Sequence, residues 1–283
     1  MKPILCATDC SENSVAALKM GRTLSIKLKT KLVVLHVFDL SVALLTPLST
    51  TYIKLEKEAF ERHREKLTDF CKTHFGAPPD GRGVQIVVRE NAITNNAIVE
   101  VLTDFDASMV IMGTKGRSVL KDKILGSNTK GMIKKSPCPV LMVPPTTDKF
   151  LIERITHASD FGEVDIHAID WIIKTVACPY RAFVKIIHVN IMDWEIGEEK
   201  MQRFKKILDQ KVRYDKLGFE LIHSERIFDA LVQYAERGEM DTLVMLERNG
   251  KDIVPSLAHP DFVRKMMSRV QVPLLSMNKS MFH

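Results

Sequence analysis

The chain has 283 residues, enough for two domains of ordinary size. Its 45% hydrophobic and 27% charged content, with a mean hydropathy of −0.03, is that of a soluble globular protein. No apolar run approaches the ~18–20 residues needed to cross a bilayer. Met1 to Asn13 shows neither an h-region nor a cleavage pattern, so a cytoplasmic location is expected. The net charge is +6, yet Lys and Arg are interspersed with acids, as in EKEAFERHREK. The tightest cationic groups, at Lys121 to Lys123, Lys134-Lys135 and Lys205-Lys206, lack interleaved aromatics. Neither nucleic acid nor a membrane is therefore the expected partner. Cys6, Cys10, Cys71, Cys138 and Cys178 are odd in number and scattered, which points to neither a disulfide framework nor a zinc site.

In chain order, apolar runs predict strands at Pro3–Ala7, Lys31–Val37, Val84–Val88, Ser108–Met112 and Val140–Val143. Helical periodicity predicts helices at Ser11–Lys27, Thr51–Thr73, Thr94–Asp104 and Ser127–Lys134. The strands are apolar almost throughout rather than alternating, as in a parallel sheet buried on both faces. Strand and helix in turn give a doubly wound α/β unit.

The chain then repeats itself. Ile4–Glu12 lines up with Ile155–Glu163, placing Asp9 on Asp160. Leu35–Asp39 matches Ile187–Ile191, with His36 on His188 and Val37 on Val189. Asp106–Met112 matches Asp241–Glu247, and Cys138–Val143 matches Val272–Met277. Two tandem domains are expected, at 1–146 and 150–283, joined through the PPTTDKF segment.

The most informative stretch is Val110 to Pro144. A strand ends on Gly113, Gly116 follows, and nine residues later Gly126-Ser127-Asn128-Thr129 opens a helix. Glycine lets the backbone approach an anion, and a helix N-terminus offers N–H groups to it. Two ordinary turns with Ser127 as an N-cap explain the spacing equally well. It fits neither a Walker A loop nor a G-x-G-x-x-G fingerprint. Asp9, Val37 and Gly113 all fall at predicted strand ends, where doubly wound folds place their ligands.

These motifs resemble the universal stress protein family, in its tandem two-domain form. Its nucleotide-binding branch carries G-x2-G-x9-G followed by Ser, Thr or Asn, which Gly113, Gly116, Gly126 and Ser127 match. ATDCSENSVAAL, LHV and SPCPVLMVP match as well, so that the resemblance spans nearly the whole chain. It implies two open five-stranded parallel sheets of strand order 3-2-1-4-5, of the adenine nucleotide α-hydrolase-like type. Their last strands, Pro139–Val143 and Pro273–Met277, are expected to pair within the chain as a pseudo-dimer. A further homodimer is left open.

The resemblance implies ATP or a related adenine nucleotide, with or without Mg²⁺, in the first half. Ala7, Thr8 and Asp9 would lie on the adenosine side, and the Val37 backbone would read the adenine edge. Met112 and Gly113 would form the ribose and phosphate turn. Lys115, Gly116, Gly126, Ser127, Asn128 and Thr129 would complete the phosphate cradle. For Asp9 the alternative is helix capping; for Val37 and Met112 it is core packing.

The second half departs from the motif. Aligning Asp106 with Asp241 puts Arg248 at the place of Gly113. Counting back from Pro273 puts Pro260 and Asp261 at Gly126 and Ser127. A proline has no N–H to donate and an aspartate repels phosphate, so no ATP is expected there. No catalytic or metal-binding constellation stands out, and His36 and His188 are expected in the core. The expected role is a nucleotide-dependent regulator in stress response. A slow ATPase and a nucleotide-independent adaptor are the alternatives. A related α-hydrolase-like enzyme is disfavoured, because the S-G-G-x-D-S loop and a HIGH-type motif are absent.

Overall fold

The computed structural model describes residues 2–40, 50–80, 83–115, 125–191, 193–247 and 261–282. The first half contains β1 (Ile4–Ala7), β2 (Leu32–Phe38), β3 (Val84–Glu90), β4 (Met109–Gly113) and β5 (Val140–Val143). Its helices are α1 (Val15–Lys27), entered through a 3₁₀ turn at Glu12–Ser14, α2 (Thr50–Phe75), α3 (Thr94–Asp104) and α4 (Ser127–Lys135). The second half contains β6 (Arg154–Ala158), β7 (Phe183–Asn190), β8 (Leu217–His223), β9 (Thr242–Glu247) and β10 (Leu274–Asn278). Its helices are α5 (Glu163–Ile172), α6 (Cys178–Tyr180), α7 (Trp194–Lys211), α8 (Ile227–Glu236) and α9 (Phe262–Met267).

The ten strands of the described residues form one sheet, ordered β3-β2-β1-β4-β5-β10-β9-β6-β7-β8. Each half has the strand order 3-2-1-4-5, and every pairing within a half is parallel. The apolar strands follow from two-sided burial. In β1, Ile4 and Cys6 join one core layer, with residues of α1, α2, α5 and α7. Leu5 joins the other, with residues of α3, α4, α8 and α9. No position of such a strand faces water, so alternation is lost.

The halves meet where β5 pairs antiparallel with β10, through Leu274↔Met142, Leu275↔Leu141 and Ser276↔Val140. Pairing them covers two sheet edges that would otherwise expose backbone N–H and C=O groups. The register also has an internal symmetry. β4 pairs Val110 with Val140, and β9 pairs Leu243 with Leu274, so Val140 corresponds to Leu274 and Leu141 to Leu275. Leu141 therefore faces its own counterpart, and a pseudo-two-fold axis runs through that pair.

The sheet corrects one alignment made from the sequence. Ile4 pairs with Met109 and Ile155 with Thr242, so Met109 corresponds to Thr242 and Gly113 to Leu246, not to Arg248. Asp106 and Asp241 are not equivalent. Asp106 has a left-handed backbone (φ 47°) and pairs with Lys2 at 2.7 Å. Asp241 stands in the place of Ser108 and accepts the N–H groups of Glu153 and Arg154, each at 2.9 Å. Two aspartates doing different work lined up by chance of spacing.

Candidate functional site

The loop after β1 is built by short side chains that replace missing secondary structure. Thr8 N–H continues the sheet by donating to Leu35 O at 2.9 Å. The chain then turns sharply at Cys10, which takes a left-handed conformation (φ 55°). The Thr8 hydroxyl accepts the Cys10 N–H at 3.0 Å and lies 2.8 Å from the Ser14 hydroxyl. Ser14 donates in turn to Ser11 O at 2.7 Å, so Thr8 is the donor between the two hydroxyls. Asp9 Oδ1 accepts both the N–H (3.0 Å) and the hydroxyl (2.6 Å) of Ser11, an Asx turn that leads into the 3₁₀ turn. His36 sits beneath this loop. Its Nδ1–H donates to Thr8 O at 2.9 Å, so its Nε2 accepts from His63 Nδ1–H at 3.1 Å.

The second wall comes from the chain on either side of residues 116–124. Thr114 N–H donates to Val143 O at 3.1 Å, and Gly126 N–H donates to Thr114 O at 2.9 Å. The Thr129 hydroxyl reaches back to Gly113 O at 3.0 Å. These bonds fix the start of α4 against the end of β4. The first intrahelical bond runs from Lys130 N–H to Gly126 O at 3.0 Å. The N–H groups of Ser127, Asn128 and Thr129 precede it, at the positive end of the helix dipole. Gly113 is needed for space: a Cβ there would lie 3.1 Å from the backbone O of Asn13.

Between these walls lies a cavity of about 320 Å³. Ala7, Thr8 and Asp9 line it from the β1 loop, and Val37 from the end of β2. Met112, Gly113 and Lys115 line it from β4, and Gly126, Ser127, Asn128 and Thr129 from α4. Eleven of the twelve residues singled out from the sequence thus surround one space; Gly116 lies outside the described residues. Asp9 serves its Asx turn and lines the cavity at once. Ser14, Leu35, Thr94 and Ile98 also line it and were not anticipated. Thr94 opens α3 just past the end of β3, a position the predicted boundaries already marked. Among the described residues no group of three or more His, Cys, Asp or Glu side chains is placed to hold a metal ion.

The second half repeats the scaffold without the space. Ser159 N–H donates to Ile187 O at 2.9 Å, and the Ser159 hydroxyl accepts the Phe161 N–H at 2.9 Å. Phe161 is left-handed like Cys10 (φ 60°), and His188 Nδ1–H donates to Ser159 O at 2.7 Å. Burial holds the His188 imidazole below its ordinary pKa. Asp165 takes the place of Ser14, and its carboxylate accepts from His157 Nε2–H (2.8 Å) and Gly162 N–H (3.0 Å), fully buried. The equivalent crevice, between Ser159, Asp160, Val189, Ile227 and Leu231, leaves no room for a water molecule among the described residues. Ile227 stands where Thr94 stands in the first half, and Leu246 where Gly113 stands. Asp261 replaces Ser127 and is held by Arg264 and, at 3.3 Å, by Lys134 of the first half.

A model of the universal stress protein family matches residues 1–144. The chain belongs to that family. Universal stress protein MJ0577 of Methanocaldococcus jannaschii is 31% identical over 154 residues, covering 50% of this chain and 94% of that one. Universal stress protein MJ0531 of the same organism is 27% identical over 143 residues, covering 50% and 81%. The crystal structure of a universal stress protein from Archaeoglobus fulgidus covers 98% of both chains at 18% identity, with a TM-score of 0.70. That likeness extends the universal stress protein fold to the second half. No described helix is long and apolar enough to cross a membrane.

Proposed function

We propose that the first half binds ATP or a related adenine nucleotide, and that the protein acts as a nucleotide-dependent regulator in the cytoplasm during stress response. The observation that carries this reading is the single cavity of about 320 Å³ gathering the glycine turn, the start of α4 and the β1 loop. Its residues suit the ligand. The wall at Gly113 has no Cβ, Lys115 supplies a cation, and the start of α4 supplies N–H groups, as a polyphosphate requires. Ala7, Leu35, Val37 and Ile98 offer the less polar end that an adenosine needs, with Thr8 and Asp9 beside them. Gly113, Lys115, Gly126 and Ser127 to Thr129 would hold the phosphates. Mg²⁺ would enter only as the counter-ion of the nucleotide.

On this reading, residues 1–146 and 150–283 are two domains of one kind. The second has closed its crevice and serves as the first one's partner in the sheet. Mass spectrometry of small molecules released from the purified protein, with an ATP titration by calorimetry, tests the proposal. The expected result is an adenine nucleotide bound at one per chain. Absence of adenine together with no ATP-dependent thermal shift would leave the adaptor reading in its place. ADP accumulating over time would make the protein a slow ATPase.

A further inference from the structure

The pseudo-two-fold axis through Leu141 and Leu275 creates two equivalent corners where the halves meet, and they differ in chemistry. At one corner β9 ends on Glu247, β10 ends on Asn278, and Lys134 comes across from α4 toward Asp261. Asn278 Nδ2 donates to Lys134 O at 3.3 Å, and Glu247 is only 5% exposed. At the other corner, sheet register and the shared proline count place Thr114 for Glu247, Ser268 for Lys134, Ser127 for Asp261 and Pro144 for Asn278. The carboxyl and the ammonium group are thus replaced by two short hydroxyl side chains. A cavity of about 230 Å³ lies at that corner.

The lining is apolar at the back and polar at the mouth. Leu125, Pro144, Met267 and Val270 are buried, while Thr146 and Gln271 are exposed. The Thr146 hydroxyl donates to Gln271 Oε1 at 3.1 Å, which turns the Gln271 amide nitrogen the other way as a donor. Among the described residues Lys115 is the cation of the lining, and none of them is acidic. The volume falls below the ~300–1,000 Å³ of sites for drug-sized ligands, so the occupant is small.

We propose that this cavity is a second ligand site, which takes a small organic carboxylate carrying a short apolar chain. The ligand's carboxylate fills the role that the Glu247 side chain fills at the opposite corner, and its chain lies on Leu125, Met267 and Val270. The opposite corner shows that the fold accepts a carboxyl group at this place. At the corner with Thr114, Ser268 replaces the Lys134 that favours the charged form of Glu247, and the cation lining the cavity among the described residues is Lys115. Asp261, which repels Glu247 at the opposite corner, is replaced by Ser127, and Lys115 stands at the place of Arg248, which lies outside the described residues. The site does not depend on the nucleotide reading, although Lys115 lines both cavities and Thr114 O holds the Gly126 N–H between them.

Methyl NMR of the full chain, labelled at methionine, tests this, because Met267 lines the second cavity and Met112 the first. Butyrate is the probe; 1-butanol and butylammonium are the controls. The expected result is a saturable shift of Met267 with butyrate, and affinities about tenfold or more weaker for both controls, the worth of one charge-assisted contact. Thr114→Glu, which supplies the missing carboxylate from the protein, is expected to abolish the response. Ser268→Phe, which fills the cavity from the other half, is expected to do the same and stands in if the first variant does not fold. An equal response to butanol, a response of Met112 alone, or a Met267 that does not saturate with butyrate overturns the proposal.

Discussion

Glu247 gives the protein a pH dependence that a single substitution should remove. It ends β9 almost completely buried, and burial pushes its carboxyl up from 4.5 to about 7. The Asp261 carboxylate adds to that rise, while Lys134 and Arg264 oppose it. An acid whose folded pKa lies above its unfolded value binds more protons in the folded state between the two. Its contribution is therefore fully present below the unfolded value and is lost as pH rises to about 7, after which it is flat. At ~1.4 kcal/mol for each tenfold change in proton affinity, a rise from 4.5 to about 7 is worth ~3 kcal/mol. Asp261 does not confuse this window. Burial pushes its carboxyl up, but hydrogen bonds from Arg264 and Lys134 outweigh burial and hold it below 3.8, so its own contribution is lost only in stronger acid. Glutamine matches the shape of the protonated acid and has no charge to bury. Glu247→Gln is expected to raise stability by only ~1 kcal/mol at pH 5, where the unfolded acid is already largely ionised, and by ~3 kcal/mol at pH 8. Urea unfolding of both proteins at both pH values measures the difference. A variant that is no more stable relative to the parent at pH 8 than at pH 5 would refute the reasoning.

Three further outcomes are expected. Gly113→Leu copies the second half into the first, where the Cβ alone would stand 3.1 Å from Asn13 O. It should weaken ATP at least about a hundredfold by calorimetry while costing ~1–3 kcal/mol of stability; unchanged affinity would place the nucleotide elsewhere. Leu275→Ala empties a fully packed position on the pseudo-two-fold axis and is expected to cost ~2–5 kcal/mol in denaturant unfolding. A loss well under 1 kcal/mol would mean the β5–β10 junction contributes little. Asp165→Ala leaves the buried His157 Nε2–H without an acceptor and removes that of the half-buried Gly162 N–H, and should destabilise by ~3 kcal/mol or more. An unchanged thermal midpoint would show that the pair is dispensable.

What the sequence made legible was what short-range pattern controls. The expected bounds of β5 and α3 match the observed ones, because a two-sided apolar strand and a 3.6-residue periodicity are local signals. Of the residues expected around the site, Ala7 to Asp9, Val37, Met112, Gly113 and Lys115 lie at or just past strand ends, which converge in this topology, and Gly126 to Thr129 at the start of α4 beside them. Other features depend on tertiary placement. Nothing local tells Asp106 from Asp241, since only pairing with β1 or β6 reveals which is in register with Ser108. Ser14 and Thr94 lack a motif, and reach the cavity only because their helices begin beside it. The split into a 3₁₀ turn and α1 follows from the Asx turn at Asp9 and the left-handed Cys10, where periodicity alone gives one helix from Ser11.

The repeat also separates residues that hold the fold from residues that make the cavity. Both halves keep a hydroxyl after the first strand (Thr8, Ser159) that accepts an N–H two residues on. Both keep the left-handed residue that follows (Cys10, Phe161) and a histidine donating to the backbone beneath it (His36, His188). These features survive in the half whose crevice is closed, so they belong to the folding of the loop. His36 is accordingly a structural group, although it lies directly under the cavity. The cavity positions that differ include Gly113 against Leu246, Thr94 against Ile227, Ser127 against Asp261 and Ser14 against Asp165. Two exchange small side chains for bulk, and two exchange a hydroxyl for a carboxylate. Space and charge, the two properties a polyphosphate demands, therefore distinguish the halves, while the N–H held by the hydroxyl after the first strand and the histidine bond beneath it are common to both.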